Sequence, residues 1–151
     1  PYIGLHLRYT DRSHQAPFAR SITAALDEVS RSTAVTDVFV AGDNARSRDR
    51  WADKVRARGL NPWTTAQSEW DRSAEGSAFP ALVDWRILSR SRASVYFSES
   101  SFAVEAAVAS DGFDQSMSLA ASPLRAIGVR AAEYATDAAT YPRRHGWWGT
   151  P

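Results

Sequence analysis

The chain has 151 residues, which is enough for one domain with a single buried core. Its 18 basic and 17 acidic residues nearly balance, so it lacks the excess positive charge that general nucleic-acid binding requires. The absence of cysteine excludes disulfides and thiolate metal sites, and the three scattered histidines argue against a zinc site. No apolar run approaches the roughly 20 residues of a membrane span. We therefore expect a single domain, residues 1–151, with no metal, no nucleic-acid partner and no membrane span.

Hydrophobic spacing predicts strands and helices that alternate along the chain. Strands are predicted at residues 2–8, 37–41, 60–65, 93–97 and 117–121, and helices at residues 18–31, 45–58, 80–91 and 102–110. Residues 66–78 are polar and are predicted to form a loop. The many charged residues of the second helix are expected to be its solvent-exposed face. This alternation predicts an α/β fold, a Rossmann-like, mostly parallel sheet with helices on both faces.

Polar residues follow three of the predicted strands, where ligands of open parallel sheets bind. These candidate site residues are His6, Arg8 and Asp11 after the first strand, Asp43 after the second, and Ser98, Ser100 and Ser101 after the strand at 93–97, together with Asp84 in the helix before it. Because the carboxyl ends of parallel strands share one edge of the sheet, we expect these side chains to converge there.

The residue types at this edge suit an anionic nucleotide. The Arg8 guanidinium can hold a phosphate through two parallel hydrogen bonds. The hydroxyls of Ser100 and Ser101, with the helix N-terminus that follows, are donors aimed at negative charge. Either Asp43 or Asp84 could accept a hydrogen bond from a base or a ribose.

A structural interpretation is open for most of these residues as well. Arg8 can pair with Asp11 or another internal acid, because a buried guanidinium needs a partner. His6 can be an ordinary core histidine, and Asp43 a turn or N-cap residue. For the three serines, helix capping is the default.

Three segments resemble the motifs of one enzyme family. They are Gly4-Leu-His-Leu-Arg-Tyr-Thr-Asp11, Val38-Phe-Val-Ala-Gly-Asp-Asn44, and the stretch from Ala81 to Ser101 with its acidic helix, strand and serine-rich turn. In this order they resemble the three motifs of the α1,6-fucosyltransferases, including the bacterial nodulation enzymes, and of the protein O-fucosyltransferases. The resemblance extends over residues 2–109.

The resemblance implies the C-terminal, donor-binding domain of a two-domain GT-B glycosyltransferase. Such an enzyme transfers fucose from GDP-fucose to a glycan or protein hydroxyl, with inversion and without a metal or other cofactor. Its acceptor site would need an N-terminal domain that this chain does not include.

The resemblance also implies roles for the candidate residues. Arg8 would bind the diphosphate and help GDP to leave, as the catalytic residue of this domain. The others would form the nucleotide pocket: His6 against the nucleotide, Asp11 holding the motif loop, Asp43 and Asp84 at the nucleoside or supporting the pocket, and Ser100 and Ser101 at the phosphates, beside Ser98.

Two positions depart from the family pattern. Tyr9 and Val104 stand where the α1,6-fucosyltransferases usually carry arginines. One alternative is therefore a non-catalytic module, or a truncated relative, that binds a nucleotide or a sugar nucleotide. Another is an unrelated Rossmann-like protein, which is disfavoured because no glycine-rich phosphate loop follows the first strand.

Overall fold

The computed structural model describes residues 1–8, 17–43, 45–65 and 78–120. Two sequence predictions, the role of Asp11 and the loop over residues 66–77, lie outside these ranges, as does Tyr9.

Strands and helices alternate along the described chain, as the hydrophobic spacing predicts. The strands are β1 (Ile3–Leu7), β2 (Asp37–Gly42), β3 (Asn61–Trp63), β4 (Ala93–Phe97) and β5 (Met117–Leu119). The helices are α1 (Ala19–Thr33), α2 (Ala45–Arg56), α3 (Ala78–Leu88) and α4 (Ser101–Val108), with a short 3₁₀ helix at Phe113–Gln115. Each predicted element is present, and most ends differ from the prediction by one to three residues.

The five strands form one sheet in the order β3-β2-β1-β4-β5, and every pairing is parallel. From β1 the chain first builds outward through β2 and β3, then returns to the other side of β1 for β4 and β5. The reversal of strand order therefore lies between β1 and β4. This is a doubly wound, Rossmann-like topology, so the predicted α/β fold class is confirmed.

The core has two layers because consecutive strand residues face opposite sides of the sheet. On one side, strand residues such as Ile3, Leu5 and Leu7 pack with α1 and α2. On the other, Phe39 and Ala41 pack with residues of α3 and α4, including Leu88 and Ala106. Helices thus cover both faces of the sheet.

One prediction about α2 is wrong, because its charged residues do not all face solvent. Arg48 is only 6% exposed. It lies three and seven residues before Trp51 and Val55, which are also buried. This spacing puts Arg48 on the apolar stripe of the helix, and the stripe decides its burial.

Within the described ranges, no helix combines the length and apolar character needed to cross a membrane.

Candidate functional site

The carboxyl ends of β1 and β4 lie side by side at the point where the strand order reverses. In doubly wound sheets this reversal opens a crevice in which ligands bind. Arg8 directly follows β1, and the serine-rich turn from Ser98 to Ser101 directly follows β4. Two of the three predicted polar strand ends therefore meet at the crevice.

The third polar strand end lies on the other side of β1. His6 is in register with Ala41 of β2, and Leu7 with Gly42, so Arg8 and Asp43 are the next residues beyond the two strand ends. The charges of Asp43 and Arg8 both act on the His6 imidazole. The structure thus brings His6, Arg8 and Asp43 together, as the sequence predicts.

His6 is a buried, neutral side chain at this edge. Its ring packs against Phe102 of α4, with 5.3 Å between the ring centroids. Burial lowers the pKa of His6 to about 4; the Asp43 carboxylate raises it and the Arg8 guanidinium lowers it further. At neutral pH the imidazole therefore offers one N–H donor and one lone pair rather than a positive charge. Within the described part of the chain, its Nδ1 has no hydrogen-bond partner, so the interpretation as a satisfied core histidine does not account for it.

The three serines of the serine-rich turn lie in different environments. The Ser98 hydroxyl donates to the backbone carbonyl of Leu119 at 3.2 Å and so ties the turn to β5. Ser101 is exposed and begins α4. Ser100 precedes α4 and is fully buried, yet its hydroxyl makes no capping hydrogen bond, and no partner for it occurs among the described residues. Helix capping therefore does not explain Ser100.

A small cleft opens beside the ends of β1, β4 and β5, next to the start of α1. Most of its lining is apolar and includes Leu7, Pro17, Ile22 and Phe97. Arg8 also lines it, so an apolar wall and a cation occur together. This combination suits a ligand that carries both an apolar surface and negative charge.

Asp84 of α3 belongs to a second polar group at the same edge. It is 7% exposed, and the Thr65 hydroxyl donates to its Oδ1 at 2.9 Å. Burial raises the pKa of Asp84, and the Thr65 hydrogen bond and the Arg48 charge lower it in part. Sequence reasoning missed Arg48 and Thr65: the apolar spacing of Arg48 could have revealed its burial, whereas Thr65 carries no local signal.

The charged groups described here include no cluster of three or more histidine, aspartate or glutamate side chains arranged to hold a metal ion. Two guanidinium groups lie near this edge, that of Arg8 at the cleft and that of Arg48, whose stem lies against Gly42 at the end of β2.

The fold and this edge together define a doubly wound α/β domain with polar residues at the switch point of its sheet. No protein-family model matches the chain, and no curated protein matches it at a significant level. The likeness of three segments to fucosyltransferase motifs therefore stays a prediction.

Proposed function

We propose that this chain is the donor-binding domain of a fucosyltransferase-like glycosyltransferase, and that it binds GDP-fucose at the crevice between β1 and β4. One observation carries the proposal. The first motif that resembles the fucosyltransferases contains Arg8, and Arg8 lies at the switch point of the sheet beside the serine-rich turn. The recognised segments and the expected ligand site of the fold thus coincide, although each was reached by a separate argument.

The charges of His6 and Arg8 support different roles for these two side chains at the diphosphate. His6 is neutral near pH 7 because burial lowers its pKa to about 4, so it cannot supply the positive charge. That role falls to Arg8, whose planar guanidinium can donate two parallel hydrogen bonds to phosphate oxygens. The unpaired His6 Nδ1 and Ser100 hydroxyl would then complete the polar lining, together with the amides at the start of α4.

In the proposed transfer, an acceptor hydroxyl attacks the anomeric carbon of fucose from the face opposite the diphosphate. The bond from that carbon to the diphosphate oxygen breaks, and GDP leaves with the electron pair. Charge grows on the departing oxygen, where a fixed guanidinium stabilises the transition state more than the ground state. The site that binds the acceptor, and the base that takes the acceptor's proton, would be supplied by an N-terminal domain.

The second candidate is a sugar-nucleotide binding module without catalytic activity. The observation that favours it is the side chain of Val104, which packs against a small apolar cluster with Tyr96, Ala103 and Ala107. An arginine, usual at this position in the α1,6-fucosyltransferases, would add a second cation near the phosphates. Its absence weakens the case for catalysis more than the case for binding.

Calorimetric titration with GDP-fucose tests both candidates, because both predict a saturable complex that competes with GDP. Free fucose is the control and should not compete, since the nucleotide part carries the contacts argued above. Release of GDP after addition of a glycan or protein acceptor would favour the transferase, and binding without release would favour the module. No binding of GDP-fucose would contradict both.

A further inference from the structure

Arg48 of α2 is a buried cation that lies against the end of β2. No sequence motif predicts a cation there. The aliphatic stem of Arg48 lies against Gly42: a Cβ built on Gly42 would meet Arg48 Cγ at 3.3 Å and the Leu7 carbonyl oxygen at 3.0 Å. A side chain at residue 42 would therefore push against the arginine and the neighbouring strand. Burying a guanidinium is costly unless its charge is compensated by a nearby group.

Asp84 is the buried carboxyl on which Arg48 acts. The two residues are 6% and 7% exposed and come from different helices, α2 and α3. The Arg48 charge lowers the pKa of Asp84 against the effect of burial, and the Thr65 hydroxyl acts in the same direction through its 2.9 Å hydrogen bond. Arg48 on α2 and Thr65 after β3 thus both lower the pKa of a carboxyl group on α3.

Other titratable groups lie on the elements packed against α3, namely His6 on β1, Asp37 at the start of β2, Asp43 after it and Glu105 on α4. The charge that reaches Asp84 is that of Arg48. His6 is neutral at physiological pH, and Asp37 lies at the opposite end of β2, beside Asn61. Arg48 is therefore the residue to vary.

We propose that Thr65 and Arg48 are positioning residues for Asp84: the Thr65 hydroxyl orients the Asp84 carboxylate and the Arg48 charge favours its ionised form, so that Asp84 accepts a hydrogen bond from the nucleoside part of the ligand. This inference rests on the proposed function, because it assumes that a nucleotide occupies the edge of the sheet. The physical advantage is preorganisation. An acceptor that is already fixed by a donor and a cation loses little freedom when the ligand binds.

The test compares Arg48→Met and Thr65→Val with the unaltered chain, and uses Arg50→Met as the matched control. Methionine keeps an apolar stem over Gly42 without the charge, and valine keeps the shape of threonine without the hydroxyl. Arg50 lies on the same helix but is exposed. Two quantities are measured: the pKa of the Asp84 carboxyl by NMR in the ligand-free protein, and the dissociation constant for GDP as a function of pH.

We expect Arg48→Met to raise the pKa of Asp84 and to weaken GDP binding about tenfold, the size of one hydrogen bond to a charged group. The loss should grow as the pH falls toward the raised pKa of Asp84, because the carboxylate that accepts the hydrogen bond becomes protonated. Thr65→Val should act in the same direction with a smaller effect, and Arg50→Met should match the unaltered chain. A role in stability alone would not move the pH dependence of GDP binding.

Unchanged Asp84 pKa and unchanged GDP affinity in both variants would overturn the inference. A raised pKa with unchanged GDP affinity at every pH would also overturn it, because Asp84 would then not act on the nucleotide. Failure of the unaltered chain to bind GDP is distinguishable from these results. It would contradict the proposed function and this inference with it.

Discussion

Replacing Arg8 with lysine is expected to weaken GDP binding about tenfold, and replacing it with methionine about a hundredfold. Hydrogen bonds to charged groups contribute about 1.5–3 kcal/mol, and a site built for a bidentate guanidinium loses most of this with an ammonium group. Lysine keeps the positive charge but cannot donate two parallel hydrogen bonds from one plane. The difference between the two variants therefore separates the contribution of geometry from that of charge.

The matched control is Arg92→Lys. Arg92 is exposed and directly precedes β4, at the opposite edge of the sheet from Arg8. It should leave the dissociation constant for GDP unchanged in the same calorimetric titration. Equal affinities for the Arg8→Lys variant and the unaltered chain, with both folded, would assign Arg8 a structural role and remove the proposed phosphate ligand.

Acidification is expected to destabilise the protein through His6, by about 2 kcal/mol between pH 8 and pH 5. Its pKa falls from 6.5 in the unfolded chain to about 4 in the folded protein, chiefly because of burial. The unfolded state therefore binds more protons in this interval. Stability from His6 is fully present above pH 6.5 and is lost progressively as the pH falls toward 4.

Urea unfolding of the unaltered chain and of His6→Phe at several pH values isolates this effect. Phenylalanine can keep the packing against Phe102 but does not titrate, and every other ionisable group is common to both proteins. The difference in the free energy of unfolding should change by about 2 kcal/mol between pH 8 and pH 5, in favour of the variant at low pH. A difference that stays constant with pH would mean that the pKa of His6 is the same in the folded and unfolded chain, so that burial would not keep the imidazole neutral below pH 6.5.

Local patterns in the sequence were sufficient to predict the fold class and the elements that present the site. Strand β4, for example, was predicted with the bounds that it has, Ala93–Phe97. A continuous apolar run predicts such a buried strand, because helices cover both faces of the sheet. The convergence of His6, Arg8 and Asp43 followed from the rule that parallel strands share their carboxyl edge, and the structure has these residues close to one another.

The parts of the site that were missed depend on contacts between distant segments. Thr65 and Asp84 are 19 positions apart, and no local pattern pairs them. Arg48 was assigned to the solvent-exposed face because charged residues usually lie there, whereas its position on the apolar stripe of α2 decides its burial. The unpaired state of the Ser100 hydroxyl likewise depends on packing around the turn, since serine before a helix normally indicates a cap.

The most direct test of the central claim is the nucleotide preference of the unaltered chain, measured as the increase in melting temperature with equal concentrations of GDP, UDP and ADP. Ligand binding to the folded state stabilises it by RT ln(1 + L/Kd), where L is the free ligand concentration, so at equal concentrations the nucleotide that binds most tightly gives the largest increase. We expect GDP to raise the melting temperature more than UDP or ADP does, and EDTA to leave this increase unchanged. Equal increases with all three nucleotides, or none with any of them, would contradict a GDP-sugar site at the carboxyl ends of β1 and β4.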